Sequence, residues 1–294
     1  MHQATALLAL TTDTSLHAGT GSSGDIIDLP IQREGHTGWP CVFGSAVKGA
    51  LRTRAEQRMG QDAADVLAAF GPATGNASEH AGALTVGDAR LLLLPVRSLT
   101  GTFRWVTCPG ALDRLYKDCE RLGLSPGNWN TPRVTDEDTA LVSTGGGESL
   151  FLEEYRFTTK NAGLDGLITT LHRLLGRDNG VEQLEQRLTV IHDDMFSHLA
   201  RTATPVNAHV ALDENKTVKR GALWYEETLP PETLLYAPLM ALPSRRQGHA
   251  LEAGQVLKLI TDKLFGDHPW LQLGGNETVG MGWCSVKFIE RQNA

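Results

Sequence analysis

Asp28 is a carboxylate whose setting in this 294-residue sequence suits chemistry on a bound anion. It lies four residues beyond Gly24, at the end of His17-Ala18-Gly19-Thr20-Gly21-Ser22-Ser23-Gly24. A carboxylate in such a loop can hold Mg²⁺ or another divalent metal through one or two oxygens, with water and phosphate filling the shell. Its competing structural roles are an Asx-turn or an ion pair with Arg33, and Asp25 is a nearby decoy. His17 titrates in the range needed for acid–base catalysis. A histidine at a strand end equally serves packing, and only His36 is near it in sequence. Downstream, Gly44-Ser45 reads as a helix start with Ser45 as cap. Helical spacing then puts Ser45, Lys48 and Arg52 on one face and Val47, Leu51 and Ala55 on another. A flexible loop, a carboxylate and a cationic helix start together suit binding and cutting an anionic polymer; the cations also fit an ordinary solvated face.

A second glycine loop, Gly274 to Gly282, precedes the last strand-like segment. Gly274, Gly275, Gly280 and Gly282 let backbone amides approach a phosphate, or simply make turns. Neither glycine loop ends in the Gly-Lys-Ser/Thr of a nucleotide-binding P-loop.

These residues need a scaffold, and 41% hydrophobic composition is enough to build one. No apolar run reaches the roughly 20 residues of a membrane span, and no basic leader opens the chain, so a cytoplasmic protein is expected. The four cysteines, Cys41, Cys108, Cys119 and Cys284, are too scattered for a zinc signature and read as buried thiols. A net charge of −7 argues against indiscriminate coating of nucleic acid and leaves room for binding in a local basic groove.

Strands are predicted over Ala4–Leu16, Ala83–Val96, Phe103–Thr107, Leu234–Leu242 and Trp283–Ile289. Helices are predicted over Asp62–Phe70, Pro109–Leu122, Leu164–Leu175, Val181–Leu188, Asp193–Leu199 and Ala250–Leu264. Val206–Leu212 and Ala222–Glu227 flank a polar tip and read as a projecting hairpin. On it Trp224 and Tyr225 stack or pack, and Glu226 and Glu227 read as solvated. Ser125–Ser149 is rich in Gly, Pro, Asn, Thr and Asp and reads as a loop insertion. The expected class is α+β with insertions.

Several blocks carry a family resemblance. They are Ile27-Asp28-Leu29-Pro30-Ile31-Gln32-Arg33-Glu34, His36-Thr37-Gly38, Gly44 to Arg52, Val86-Gly87-Asp88-Ala89, Gly221 to Glu227 and Gly274 to Gly282. In this order they resemble the backbone subunits of type III-B CRISPR (Cmr) effector complexes, within the RAMP superfamily. The resemblance implies one domain over residues 1–294, a modified ferredoxin-like or RRM-like palm with helical insertions and a β-hairpin thumb at about 206–227. It implies a subunit that polymerises with other copies of itself along guide CRISPR RNA, beside other Cmr subunits and away from any membrane. Complementary target RNA would be cleaved at regular intervals. It assigns cleavage, and a divalent metal, to Asp28. RNA contact falls to Gln32, Arg33, Ser45, Lys48, Arg52, Gly274, Gly275, Gly280 and Gly282, with His17 and Trp224 secondary. Ala46 stands where relatives often carry a second serine. Two other functions remain open: an RNA-binding filament subunit that cuts nothing, and a metal-independent processing ribonuclease acting through His17.

Overall fold

The apolar run near the start of the chain forms β1 (Ala4–Thr12), buried from Ala6 to Thr12. Leu8 and Leu10 face one core and Leu7 and Ala9 the other, so the strand is covered on both sides and needs no polar alternation. The computed structural model describes residues 3–24, 26–72 and 80–291; Asp25 lies outside the described residues.

After β1 come β2 (Cys41–Val42), α1 (Gly44–Met59), α2 (Ala64–Phe70), β3 (Leu84–Val86), β4 (Ala89–Arg97), β5 (Phe103–Thr107) and α3 (Pro109–Leu122). The middle of the chain supplies β6 (Thr139–Val142), β7 (Ser149–Leu152), β8 (Tyr155–Asn161), α4 (Asp165–Leu175), α5 (Gly180–Arg187), β9 (Leu188–Ile191) and α6 (Asp193–Thr202). A hairpin follows, β10 (Val206–Leu212) and β11 (Val218–Glu227). The last elements are β12 (Leu234–Ala241), α7 (Ala253–Lys258) with a π-helical continuation over Leu259–Leu264, β13 (Trp270–Gln272) and β14 (Trp283–Glu290).

The fold is α+β, built on a 12-stranded mixed sheet in the order β13-β14-β1-β12-β4-β5-β9-β6-β8-β7, with β2 added on β4 and β3 on β12. Its centre, β14-β1-β12-β4, is antiparallel; β5–β9 and β6–β8 are parallel. Helices α1, α2, α6 and α7 contribute to the core on the Leu8 side, and α3, α4 and α5 to the core on the Leu7 side. Asp118 of α3 ties the second layer to the sheet, accepting hydrogen bonds from Arg90 at 2.7 Å and the Tyr236 hydroxyl at 3.0 Å. Among the described residues no helix is long and apolar enough to cross a membrane.

Several boundaries differ from expectation for local reasons. β1 stops at Thr12, because Asp13 and Thr14 turn their N–H groups to the Trp283 carbonyl. The cap of helix α1 lies two residues earlier than expected, at Phe43; Ser45 is exposed inside the first turn, and the Asp88 carboxylate takes the Gly44 N–H at 2.7 Å. The predicted loop 125–149 contains β6, whose four residues are too short for a visible alternation yet pair with both β8 and β9. The hairpin's second arm begins at Val218, four residues before the predicted start.

That hairpin is a separate two-stranded sheet. Asp213 shapes its tip, accepting the N–H groups of Asn215 and Thr217 at 2.9 Å each. Pairing of Ala208 with Tyr225 and Val210 with Leu223 puts Val206, Val210, Leu223 and Tyr225 on one exposed face. On the other face His209 stacks against Trp224 with ring centroids 5.6 Å apart.

Candidate functional site

Four segments meet at the foot of the hairpin: the chain from Leu16 to Glu34, the start of α1, the end of β11 and the second glycine loop. Leu16 and Leu229 exchange two backbone hydrogen bonds of 2.9 Å. Leu29 then docks on β11, donating to the Tyr225 carbonyl at 3.0 Å and accepting the Glu227 N–H at 3.0 Å. Asp28 Oδ2 accepts the Tyr225 N–H at 2.7 Å. The Asp28 carboxylate is therefore anchored to the hairpin through one oxygen, and its other oxygen takes no hydrogen bond among the described residues. Arg33, the alternative partner considered for Asp28, is engaged elsewhere.

His17 is the hub between the two glycine loops. Its ring is buried and Nδ1 donates to the Glu227 carbonyl at 2.8 Å; a carbonyl only accepts, so Nδ1 carries the proton. A Cβ at Gly19 would lie 2.6 Å from Nε2, and one at Gly274 would lie 2.3 Å from the His17 carbonyl oxygen. That carbonyl also accepts the Gly275 N–H at 2.8 Å. Gly282 is the most constrained, since a Cβ there would lie 1.9 Å from the Leu273 oxygen at a φ of +81°. Gly280, at φ +82°, faces open space.

Glu226 and Glu227, read as solvated, are buried at 4% and 2% exposure. Glu227 is enclosed by donors: the Arg33 guanidinium and the Thr204 hydroxyl meet Oε1, and the Ile31 N–H meets Oε2 at 3.1 Å. Arg33 also donates to the carbonyls of Gly38 and Ala200 at 2.7 and 2.8 Å, joining β11, α6 and the loop. Glu226 accepts from Asn276 Nδ2 at 2.5 Å and so holds the second glycine loop to the hairpin. Gln32 uses both ends of its amide, donating to Gly19 O at 3.1 Å and accepting the Phe43 N–H at 2.7 Å. Beside it, burial pushes the Glu34 carboxyl up, but hydrogen bonds from Arg114 and Thr37 outweigh this and hold it below the usual carboxylate range.

On α1, Lys48 donates to the Leu84 carbonyl at 2.8 Å, and burial followed by the nearby Arg52 charge depresses its pKa. Arg52 pairs with Glu56 at 2.7 Å on its own helix. Trp224 stands on the hairpin, where it stacks on His209 and, among the described residues, on no other ring. A cleft of about 770 Å³ opens between Ile26, Ile27 and Pro30 on one side and Arg33, Arg201 and Glu227 on the other. The sequence signal for this buried cluster was faint: two adjacent carboxylates at the end of an alternating strand, where one of the two must face inward. Arg201 gave no signal.

Among the described residues, Glu137, His192 and Asp194 could also gather around a cation. His192 Nδ1 already accepts the Asp194 N–H at 3.2 Å as a helix cap.

The sequence profile of the RAMP superfamily matches residues 9–285. The chain is 34% identical over 291 residues to the CRISPR system Cmr endoribonuclease Cmr4 of Pyrococcus furiosus, covering 98% of this chain and 96% of that one. The crystal structure of oligomeric Cmr4 from Pyrococcus furiosus superposes with a TM-score of 0.75 at 30% identity, covering 99% of each chain. A chain of the type III-B Cmr-beta complex bound to cognate target RNA shares the fold, with a TM-score of 0.75 at 20% identity over 97% of this chain and 96% of that one.

Proposed function

The chain belongs to the RAMP superfamily and to the Cmr4 family within it, and we propose that it is the backbone endoribonuclease of a type III-B CRISPR effector complex. In this reading copies of the chain stack along guide CRISPR RNA beside other Cmr subunits, and each copy cleaves complementary target RNA once. The observation that carries it is Asp28, a carboxylate with one oxygen fixed by the Tyr225 N–H at the foot of an exposed hairpin. We read residues 1–294 as one domain. The antiparallel order β14-β1-β12-β4, with α1 after β1 and α7 after β12, supports a ferredoxin-like palm, and the separate hairpin β10–β11 supports a thumb.

RNA carries its own nucleophile, so the protein must align a 2′-hydroxyl with the phosphate and leaving oxygen and offset the charge that develops. Attack breaks the phosphorus–5′-oxygen bond and leaves a cyclic 2′,3′-phosphate and a 5′-hydroxyl. Regular duplex geometry forbids this alignment, and the hairpin's exposed face is suited to displacing a nucleotide at a cost of about a few kcal/mol. Asp28 is suited to a divalent ion because one carboxylate oxygen is all Mg²⁺ requires when water and phosphate supply the rest. Bound there, that ion would neutralise charge on the scissile phosphate.

Ser45 and the first turn of α1, with Lys48, Arg52 and Gly274, Gly275, Gly280 and Gly282, form the guide-backbone surface in this reading. Gln32 and Arg33 act from behind it, because their side chains are consumed in holding the loop. His17 serves as a hub, which disfavours a processing enzyme built on its imidazole. The test is assembly with guide RNA and end-labelled complementary RNA, with and without Mg²⁺. Evenly spaced, metal-dependent products support the reading; unspaced products or none contradict it.

A further inference from the structure

We infer that the sheet edge beyond the second glycine loop carries a nucleobase-stacking site formed by Trp270, Trp283 and Arg54; this rests on reading the chain as an RNA-binding subunit. Trp270 and Trp283 are 44% and 41% exposed, whereas Trp39 and Trp105 are buried. β13 is the edge strand. Trp270 pairs with Ser285 and Trp283 with Gln272, so both indoles rise from the same face of the β13–β14 ribbon, diagonal to one another. Arg54 of α1 forms the third wall: its Nη2 donates to the His268 carbonyl at 3.3 Å, and its Nε is buried without a partner among the described residues.

These three side chains are shared by two adjoining clefts of about 390 Å³ each. One of them runs along α1 past Ala46, Gly49 and Ala50 to Gly274. The small residues let a ribose–phosphate chain approach the helix, and the groove thus joins the aromatic pair to the proposed guide-backbone surface. Every base has a π-face, so two indoles and a guanidinium bind single-stranded RNA without regard to sequence. A docked protein fits less well. Asp13, His268, Gln272 and Ser285 border the indoles, so the apolar surface here is that of two rings set among polar groups and not the broad apolar centre a stable protein interface presents.

The test uses the full chain and a single-stranded RNA of guide length carrying 4-thiouridine. Trp270→Ala and Trp283→Ala should each weaken binding roughly tenfold, with the phenylalanine variants recovering most of it. Stacking releases no counterions, so the salt dependence should keep its slope, whereas Lys48→Ala with Arg52→Ala should flatten it. Irradiation of the wild-type complex should cross-link the peptides holding Trp270 and Trp283, which tests the site even where a variant fails to fold. Unchanged affinity with cross-links elsewhere overturns the inference. Unchanged affinity with lost self-association overturns it in favour of a protein contact. If the wild-type chain binds no RNA, the functional reading itself fails; if wild type and tryptophan variants bind equally, only this inference does.

Discussion

Asp28 and His17 have opposite fates in the fold although the sequence offers both for catalysis. Asp28 is half-buried with one oxygen engaged; His17 is buried with its Nδ1 committed to a carbonyl. His17→Ala should therefore cost about 1–3 kcal/mol by leaving the Glu227 carbonyl unpaired and opening a gap between the glycine loops. Denaturant unfolding measures that loss, and cleavage at saturating RNA should persist. Glu34 tests the polar support behind the loop. Its folded pKa is depressed, so its contribution is fully present above the ordinary value of 4.5 and lost as pH falls through the lower folded value. Wild type should be more stable than Glu34→Gln at pH 7, and thermal melts should show the two converging below about pH 4.

At the scale of elements, the glycine loops are held by close approach. Gly282→Ala should destabilise the chain by about 2 kcal/mol or more, because the new methyl meets the Leu273 oxygen and the backbone is left-handed. Gly280→Ala should cost less, since only the backbone strain applies there; chemical denaturation of the pair separates the two effects. The long elements were legible because their period is long enough to read. Val47, Leu51 and Ala55 are the buried face of α1, and Pro109 to Leu122 form α3 as predicted. What escaped was short or decided by distant contacts. β6 and β9 are four residues each and exist through mutual pairing. Ser45 looked like a cap, but Asp88, 44 residues away from Gly44, takes that role. The Glu227 cluster draws on Arg33, Thr204 and Ile31, a combination that no local pattern encodes.

The whole molecule divides its labour between a sheet whose centre is covered on both faces and a hairpin left outside it. The exposed Val210 and Leu223 contribute little to the fold and are available to partners. Val210→Lys with Leu223→Glu keeps the facing pair complementary, so monomer stability should stay within about 0.5 kcal/mol. Assembly along guide RNA should fail, as sedimentation would reveal. A net charge of −7 is compatible with the proposed RNA binding, because the contacts in that reading are confined to α1, the glycine loops, the hairpin foot and the β13–β14 edge.

The most direct test compares wild type with Asp28→Ala in the assembled complex, under single-turnover conditions with excess Mg²⁺ and labelled complementary RNA. The account predicts evenly spaced products from wild type, at least a roughly hundredfold slower cleavage by the variant, and unchanged guide and target binding. Full cleavage by Asp28→Ala would contradict it.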